Sequence, residues 1–119
     1  MSKFIGDLVV KLVKDSPEGC WELQQPFGYQ SDLTGLTFTV PVGFRTDFCS
    51  VPRVPGVYDI LGDRARMSGT VHDYLYSTQE LTRELADQTL RDMLQIDGMS
   101  HFEAEEFYLA VRAGGESHW

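Results

Sequence analysis

The hydrophobic pattern of this chain changes period near its middle, and that change limits the fold more than any other feature. Residues 36–40 alternate between apolar and polar, which is the period of a half-buried strand. In the later part of the chain, apolar residues recur with the period of an amphipathic helix. Strands followed by helices within 119 residues predict a single α+β domain. We divide it into a β-rich part (1–44), a loop (45–61) and a helical part (62–115).

Three or four short antiparallel strands are predicted in the β-rich part. Residues 8–13 and 20–24 flank a run rich in turn-forming residues, so we expect them to pair as a hairpin. Residues 4–5 and 36–40 have the composition of further strands. The proline and glycine in residues 26–29 favour a turn there.

Three helices are predicted in the helical part. The first covers residues 62–76, and the second covers 82–96 and begins with a threonine, which is a good N-cap. The third covers 100–114, where Ser100 and Glu103 have the spacing of a capping box. We therefore expect a small antiparallel sheet followed by three helices.

The charge of the chain argues against nucleic acid as a partner. The formal net charge is -8, and the sequence contains no basic stripe. No apolar run approaches the roughly 18 residues that a membrane-spanning helix needs. No signal peptide is recognisable, so we expect synthesis in a cytoplasm and no transmembrane segment.

The two cysteines, Cys20 and Cys49, are more often free than bridged in a chain of this kind, and the sequence leaves their pairing open. They do not form a CxxC motif, so a zinc site built on sulfur is not expected.

The adjacent residues His72 and Asp73 on the first predicted helix are the strongest candidates for chemistry. Histidine exchanges protons most easily near neutral pH, and aspartate supplies the hard oxygen that calcium or magnesium prefers. Adjacent residues point about 100° apart on a helix, so the two side chains face different surroundings. A purely structural role is the alternative. Tyr76 shares the helix face of His72.

Asp87 on the second helix is the expected partner of His72. Two helices joined by a short link pack antiparallel, which would bring the carboxylate beside the imidazole and fix its tautomer. The alternative is an ion pair with Arg83, four residues earlier on the same helix.

The predicted loop holds two further candidates, Asp47 and Ser50. Asp47 follows a strand and is a candidate cation ligand, or it bonds its own backbone in an Asx turn. On the third helix, Arg112 lies one turn after Tyr108. We expect Arg112 to pair with Asp47 or Asp73, or to act as a cation at the helix C-terminus.

Several linked motifs follow one another along the chain: residues 44–53 (FRTDFCSVPR), 71–76 (VHDYLY), Arg83 with Ala86-Asp87, and 108–112 (YLAVR) with the late Trp119. Together they resemble domain-of-unknown-function family 1353. Cys49 and Gly69 stand where the family usually has a small residue such as alanine. The resemblance covers nearly the whole chain and implies an origin in tailed phages or prophages, without an established reaction.

A shorter stretch, residues 72–76 (HDYLY) followed by Asp87 on the next predicted helix, is similar to the helix pair of secreted-type phospholipase A-two enzymes. That similarity implies that His72 activates water, Asp73 holds calcium and Asp87 orients the histidine. The flanking cysteines and the glycine-rich calcium loop of those enzymes are missing here, and only about twenty residues match.

Two functional classes follow. One is a hydrolase, assisted by Ca²⁺ or another hard divalent cation, that cleaves an ester or a cell-envelope bond, with a lipid or envelope substrate. The other is a non-enzymatic virion, tail or assembly protein that contacts other phage proteins and uses the polar cluster to fix its fold. Either class is expected in the host cytoplasm or in a phage particle. A catalytic His72 is expected to reach solvent, and a structural one is expected to be buried.

Overall fold

The computed structural model describes residues 2–13, 21–46 and 66–114, together with Trp119. Within these residues, strands precede helices, and the α+β prediction is confirmed. The strands are β1 (Lys3–Ile5), β2 (Val10–Leu12), β3 (Trp21–Leu23), β4 (Phe27–Gln30), β5 (Thr37–Val40) and β6 (Arg45–Thr46). The helices are α1 (Arg66–Thr78), α2 (Arg83–Ile96) and α3 (His101–Gly114).

The described strands form two antiparallel sheets of three strands each, in the orders β1-β4-β5 and β2-β3-β6. The predicted hairpin is confirmed as β2 and β3, with Val10 opposite Leu23 and Leu12 opposite Trp21. The predicted single small sheet is therefore two sheets, and both contain strands that the sequence pattern did not indicate.

The turn predicted at residues 26–29 is wrong. Phe27–Gln30 is the central strand of its sheet, and the side chains of Phe27 and Tyr29 are fully buried. A Cβ atom on Gly28 would lie 3.2 Å from Cβ of Ile5 and 3.3 Å from the carbonyl oxygen of Phe38. Glycine therefore serves close packing between neighbouring strands here, although in the sequence it suggests a turn.

The predicted start of the loop at residue 45 is also wrong. Arg45–Thr46 forms β6, in which Thr46 pairs with Trp21 and Arg45 pairs with Glu22 of β3. The rest of the predicted loop, including Asp47 and Ser50, lies outside the described residues, as do Cys20 and Cys49.

One core joins strands and helices. Its strand side includes Leu23, Phe27 and Val40, and its helix side includes Leu75 and Leu90, all fully buried. Burial of a side chain of this size stabilises the fold by about 1.5–3 kcal/mol. The inward faces of the helices are therefore fixed against the sheets.

The helix ends follow the predicted capping residues. The Thr82 side chain accepts a hydrogen bond from the Leu85 amide and caps α2. Ser100 and Glu103 exchange the two hydrogen bonds of a capping box at the start of α3, at 3.1 and 3.2 Å. These caps set the start of both helices.

The link between α2 and α3 stops α2 sharply. Gly98 has φ +99°, and the Met99 amide donates to the carbonyl of Leu94 at 3.1 Å, which is a Schellman ending.

Helix α1 extends to Thr78, two residues beyond its predicted end, while residues 62–65 of the predicted helix lie outside the described part. Among the described residues, no helix is long and apolar enough to cross a membrane.

Candidate functional site

Side chains from all three helices meet at the carboxylate of Asp87. His72 and Tyr76 are four residues apart on α1, so they lie on one face of that helix, with ring centroids 4.3 Å apart. Asp87 belongs to the buried face of α2, and Arg112 belongs to the last turn of α3. We call these four residues the Asp87 cluster.

Both oxygens of Asp87 are engaged. Oδ1 lies 2.8 Å from Nε2 of His72 and accepts a hydrogen bond of 2.6 Å from the Tyr76 hydroxyl. Oδ2 accepts a hydrogen bond of 3.0 Å from Nη1 of Arg112. The predicted contact between His72 and Asp87 is therefore confirmed.

The donors around Asp87 set its charge. Burial alone would raise the pKa of this carboxyl group, but the bonds from His72, Tyr76 and Arg112 outweigh burial and hold the pKa below its ordinary value. Asp87 is therefore ionised at neutral pH.

His72 is neutral in this environment. Burial lowers its pKa, and this effect exceeds the opposing effect of the Asp87 carboxylate. Asp87 and Arg112 already balance each other in charge, so a proton on His72 would add net positive charge to a fully buried position. Neutral His72 then carries its proton on Nε2 and donates it to Asp87.

The second ring nitrogen of His72 differs from the first. In the neutral ring just described, Nδ1 is a bare acceptor, and it has no hydrogen-bond partner among the described residues. Most buried polar atoms in proteins have a partner, so an exception calls for an explanation such as a catalytic role or a bound water.

Asp73, the residue after His72 on α1, contacts a strand. Its Oδ2 accepts a hydrogen bond from the hydroxyl of Thr46, the last residue of β6. Thr46 is almost fully buried, so a short strand and the site-bearing helix meet at this carboxylate.

Two arginine predictions need correction. Arg112 pairs with Asp87, whereas the sequence favoured Asp47 or Asp73, although its predicted position near the C-terminus of a helix is correct. Arg83 donates from Nη2 to the carbonyl oxygens of Val111 and Arg112, at 3.3 and 2.7 Å, so it binds the end of α3. Its predicted alternative as an ion-pair partner of Asp87 has no such contact among the described residues.

Tyr108 lies outside the Asp87 cluster. Its ring packs under the guanidinium of Arg91, 4.3 Å from the ring centroid, and Arg91 also pairs with Glu105 at 2.9 Å. The predicted pocket residues therefore separate. Tyr76 and Arg112 belong to the cluster, and Arg83 binds the end of α3 that carries Arg112. Tyr108 instead contacts Arg91.

Two contacts that join α1 to distant residues were not predicted from the sequence. One is the bond from Thr46 to Asp73. The other is the bond of 2.5 Å from Ser68, one turn before His72, to Asp97 at the end of α2. Each joins residues more than 25 positions apart, so no local pattern indicates them. Trp119, for which the sequence indicated no contact, packs edge-on against the Tyr76 ring at 5.1 Å.

The family model described as "Protein of unknown function (DUF1353)" matches residues 21–111. The chain belongs to this family. A search of curated proteins and a search of solved structures returned no match.

The matched DUF1353 segment begins at β3 and includes the whole of α1 and α2. It therefore contains His72, Tyr76 and Asp87, while Arg112 follows its last residue directly. The description of DUF1353 names no reaction.

Proposed function

We propose that this protein is a hydrolase in which His72 is the general base, oriented by Asp87. One observation carries the proposal: Nε2 of His72 is anchored to Asp87 at 2.8 Å, while Nδ1 has no partner among the described residues. A histidine that served packing alone would gain about 1–3 kcal/mol from satisfying that acceptor. A general base instead needs a free lone pair on a ring whose other nitrogen is held.

The proposed reaction is hydrolysis of an ester. Nδ1 of His72 takes a proton from water as the water oxygen attacks the ester carbonyl. The resulting imidazolium is stabilised by the Asp87 carboxylate at Nε2. When the tetrahedral intermediate collapses, the proton passes from Nδ1 to the departing alcohol, so His72 returns to its neutral form. The local similarity to phospholipase A-two enzymes favours a lipid ester or another envelope bond as substrate.

Access to the base is part of the proposal. His72 is 0% exposed, which differs from the exposed ring expected of a catalytic histidine. The hydrolase proposal therefore requires a conformational opening that lets water and substrate reach Nδ1, as in enzymes whose sites close over the reacting groups.

The described residues do not themselves form a metal site. Asp73 binds Thr46, and no group of three or more His, Cys, Asp or Glu side chains in the described part is placed to hold a cation. A hard divalent cation such as Ca²⁺ at Asp73, with Asp47 or loop carbonyls, therefore stays a separate proposal. Calorimetric titration with calcium, magnesium and zinc tests it. Heat that saturates with calcium and disappears in Asp73→Asn would support the site, and absence of heat at millimolar calcium would exclude it.

A second function is favoured by burial. His72 and Asp87 are both fully buried, and Asp87 has three donors, which is the pattern of a polar network that fixes a fold. Under this alternative the protein is a phage virion, tail or assembly component that contacts other phage proteins. In both proposals the phage setting and the location in host cytoplasm or particle rest on the family resemblance.

Two substitutions of His72 separate these functions. Glutamine places an amide donor where Nε2 stood and keeps the bond to Asp87 without a base at Nδ1. His101→Gln, on the exposed start of α3, is the matched control. The assay is hydrolysis of p-nitrophenyl butyrate, with and without millimolar calcium. The hydrolase proposal predicts that His72→Gln melts near the wild-type temperature and loses at least about 100-fold in rate.

The alternative predicts a different result. Equal rates for wild type, His72→Gln and His101→Gln would mean that His72 is no base, and the network function would then be the better account. His72→Asn, which cannot reach Asp87, serves as the measure of how much stability that bond contributes.

A further inference from the structure

The two arginines beside the Asp87 cluster contact it in a reciprocal way. Helix α2 carries Arg83 and Asp87 one turn apart, and both reach the last turns of α3. Arg83 donates to the main-chain carbonyls of Val111 and Arg112, and the side chain of Arg112 donates back to Asp87. The end of α3 is therefore held to α2 by one backbone contact and one side-chain contact.

Arg83 satisfies groups that a helix end leaves open. The last four carbonyls of a helix have no partner within it, and Val111 and Arg112 are among the last four residues of α3. Binding them fixes where the Arg112 side chain starts. Its guanidinium then reaches Oδ2 of Asp87 while its side chain stays 31% exposed. The partly exposed Arg112 therefore binds a buried group, the Asp87 carboxylate.

The contact with Arg112 contributes to how the Asp87 carboxylate is oriented. Three donors share two oxygens: His72 and Tyr76 take Oδ1, and Arg112 takes Oδ2. Because His72 and Tyr76 both hold Oδ1, the bond from Arg112 to Oδ2 fixes the second oxygen and limits rotation about the Cβ–Cγ bond. Without that donor, the carboxylate is held at one oxygen only, and its plane can tilt relative to the imidazole.

We propose that Arg112 is a positioning residue for His72, held by Arg83 and acting through the orientation of the Asp87 carboxylate. This inference rests on the proposed function, because it gives the cluster a role in aiming Nδ1 of the base. Arg112 does not touch the reacting atoms. It acts on them through Asp87, much as the outer partners of metal-ligating histidines orient those histidines.

The test compares two arginine pairs between the same two helices. Arg112→Met removes the donor to Asp87 and keeps the apolar stem, and Arg112→Lys restores a cationic donor. Arg91→Met is the matched control, since Arg91 pairs with Glu105 at 2.9 Å and is 29% exposed. The first readout is solvent exchange of the Nε2 proton of His72, followed by NMR at a single pH and assigned with His72→Gln.

The expected result is a protected Nε2 proton in wild type, in Arg112→Lys and in Arg91→Met. In Arg112→Met that proton signal broadens or exchanges at least about tenfold faster. Hydrolysis of p-nitrophenyl butyrate falls roughly tenfold in kcat with little change in KM. If Arg112→Met does not fold, Arg83→Met takes its place, with the same change expected at smaller size.

Protection of the Nε2 proton in Arg112→Met equal to that in wild type would overturn the inference, as would equal losses in Arg112→Met and Arg91→Met. These results are distinct from failure of the proposed function. If wild type does not hydrolyse the ester, the hydrolase proposal fails while proton exchange still decides whether Arg112 positions His72. If His72 is needed for hydrolysis and Arg112→Met retains the wild-type rate, only the Arg112 inference fails.

Discussion

Helix α2 brings two aspartates to α1, and the two contacts differ in nearly every respect. Asp87, on the fifth residue of α2, receives donors from His72, Tyr76 and Arg112 and is fully buried. Asp97, the C-cap residue of the same helix, receives a hydrogen bond of 2.5 Å from Ser68 and is only partly buried. The first contact holds a charge inside the protein, and the second lies at its edge.

Their pKa values shift in opposite directions for reasons that the contacts supply. At Asp97 burial raises the pKa, and the bonds from Ser68 do not offset it. At Asp87 the hydrogen bonds outweigh the effect of burial, so the pKa is lowered. Asp97 also carries negative charge at the C-terminal end of a helix, where the helix dipole disfavours it. The number and charge of the donors therefore decide the shift, and burial alone does not.

The largest effect that this comparison predicts is on stability when each aspartate becomes asparagine. Asp87→Asn leaves Arg112 without a counter-charge and weakens the bonds from His72 and Tyr76, so the free energy of unfolding falls by about 3 kcal/mol. Asp97→Asn relieves the dipole and keeps an acceptor for Ser68, so the same quantity rises by about 0.3–1 kcal/mol. Urea unfolding of both variants measures the two values. Equal losses in both would show that the contacts do not differ in kind.

A smaller difference is expected when the donor is removed instead of the acceptor. Tyr76→Phe deletes a hydrogen bond to a buried carboxylate and costs about 1.5 kcal/mol. Ser68→Ala deletes the bond to Asp97, which water replaces at a partly exposed carboxylate, so the cost is about 0.5 kcal/mol. Thermal unfolding of Tyr76→Phe, Ser68→Ala and wild type shows which substitution costs more stability. A greater loss in Ser68→Ala would reverse our ordering of the two contacts.

The smallest effect is on the pH dependence of stability, because the two aspartates oppose each other in wild type. Asp87, with a lowered pKa, contributes stability that is present above the ordinary value of about 3.9 and is lost as pH falls through its folded pKa. Asp97, with a raised pKa, has the opposite effect on how stability changes with pH. Its contribution is present below about 3.9 and is lost as pH rises through its folded pKa.

Each asparagine variant removes the pH dependence that its aspartate contributes to the free energy of unfolding. The stability difference between wild type and Asp87→Asn should shrink as pH falls, and the gain from Asp97→Asn should appear as pH rises. Urea midpoints measured across the acid range check both. Parallel curves for wild type and both variants would contradict the opposite shifts.

The sequence predicted the helical part better than the strands, and particular residues show why. Thr82, Ser100 and Gly98 act on the backbone within a few residues, so their roles can be seen locally. Gly28 has the composition of a turn but belongs to a buried strand, because its neighbours come from two other strands. Two-residue β6 exists only through its pairing with β3, which no local pattern encodes.

The candidate site shows the same difference between contacts set by local spacing and contacts set by packing of distant elements. The contact of His72 with Asp87 follows from spacing on two consecutive antiparallel helices, and it was predictable. The binding of Asp87 by Arg112 and of Asp97 by Ser68 depends on how distant elements dock, at separations of 25 and 29 residues. Sequence can name the charged residues of such contacts, but the choice of partner is decided by packing.

Because its donors come from α1 and α3, the Asp87 carboxylate is satisfied only when all three helices are docked together. Sliding any one helix by a turn would leave a buried charge without its donors, which typically costs several kcal/mol. Apolar faces tolerate such slips far better, since one leucine replaces another at little cost. A helix slipped by one turn is therefore disfavoured by more than its lost apolar contacts, because it would leave this buried charge unpaired.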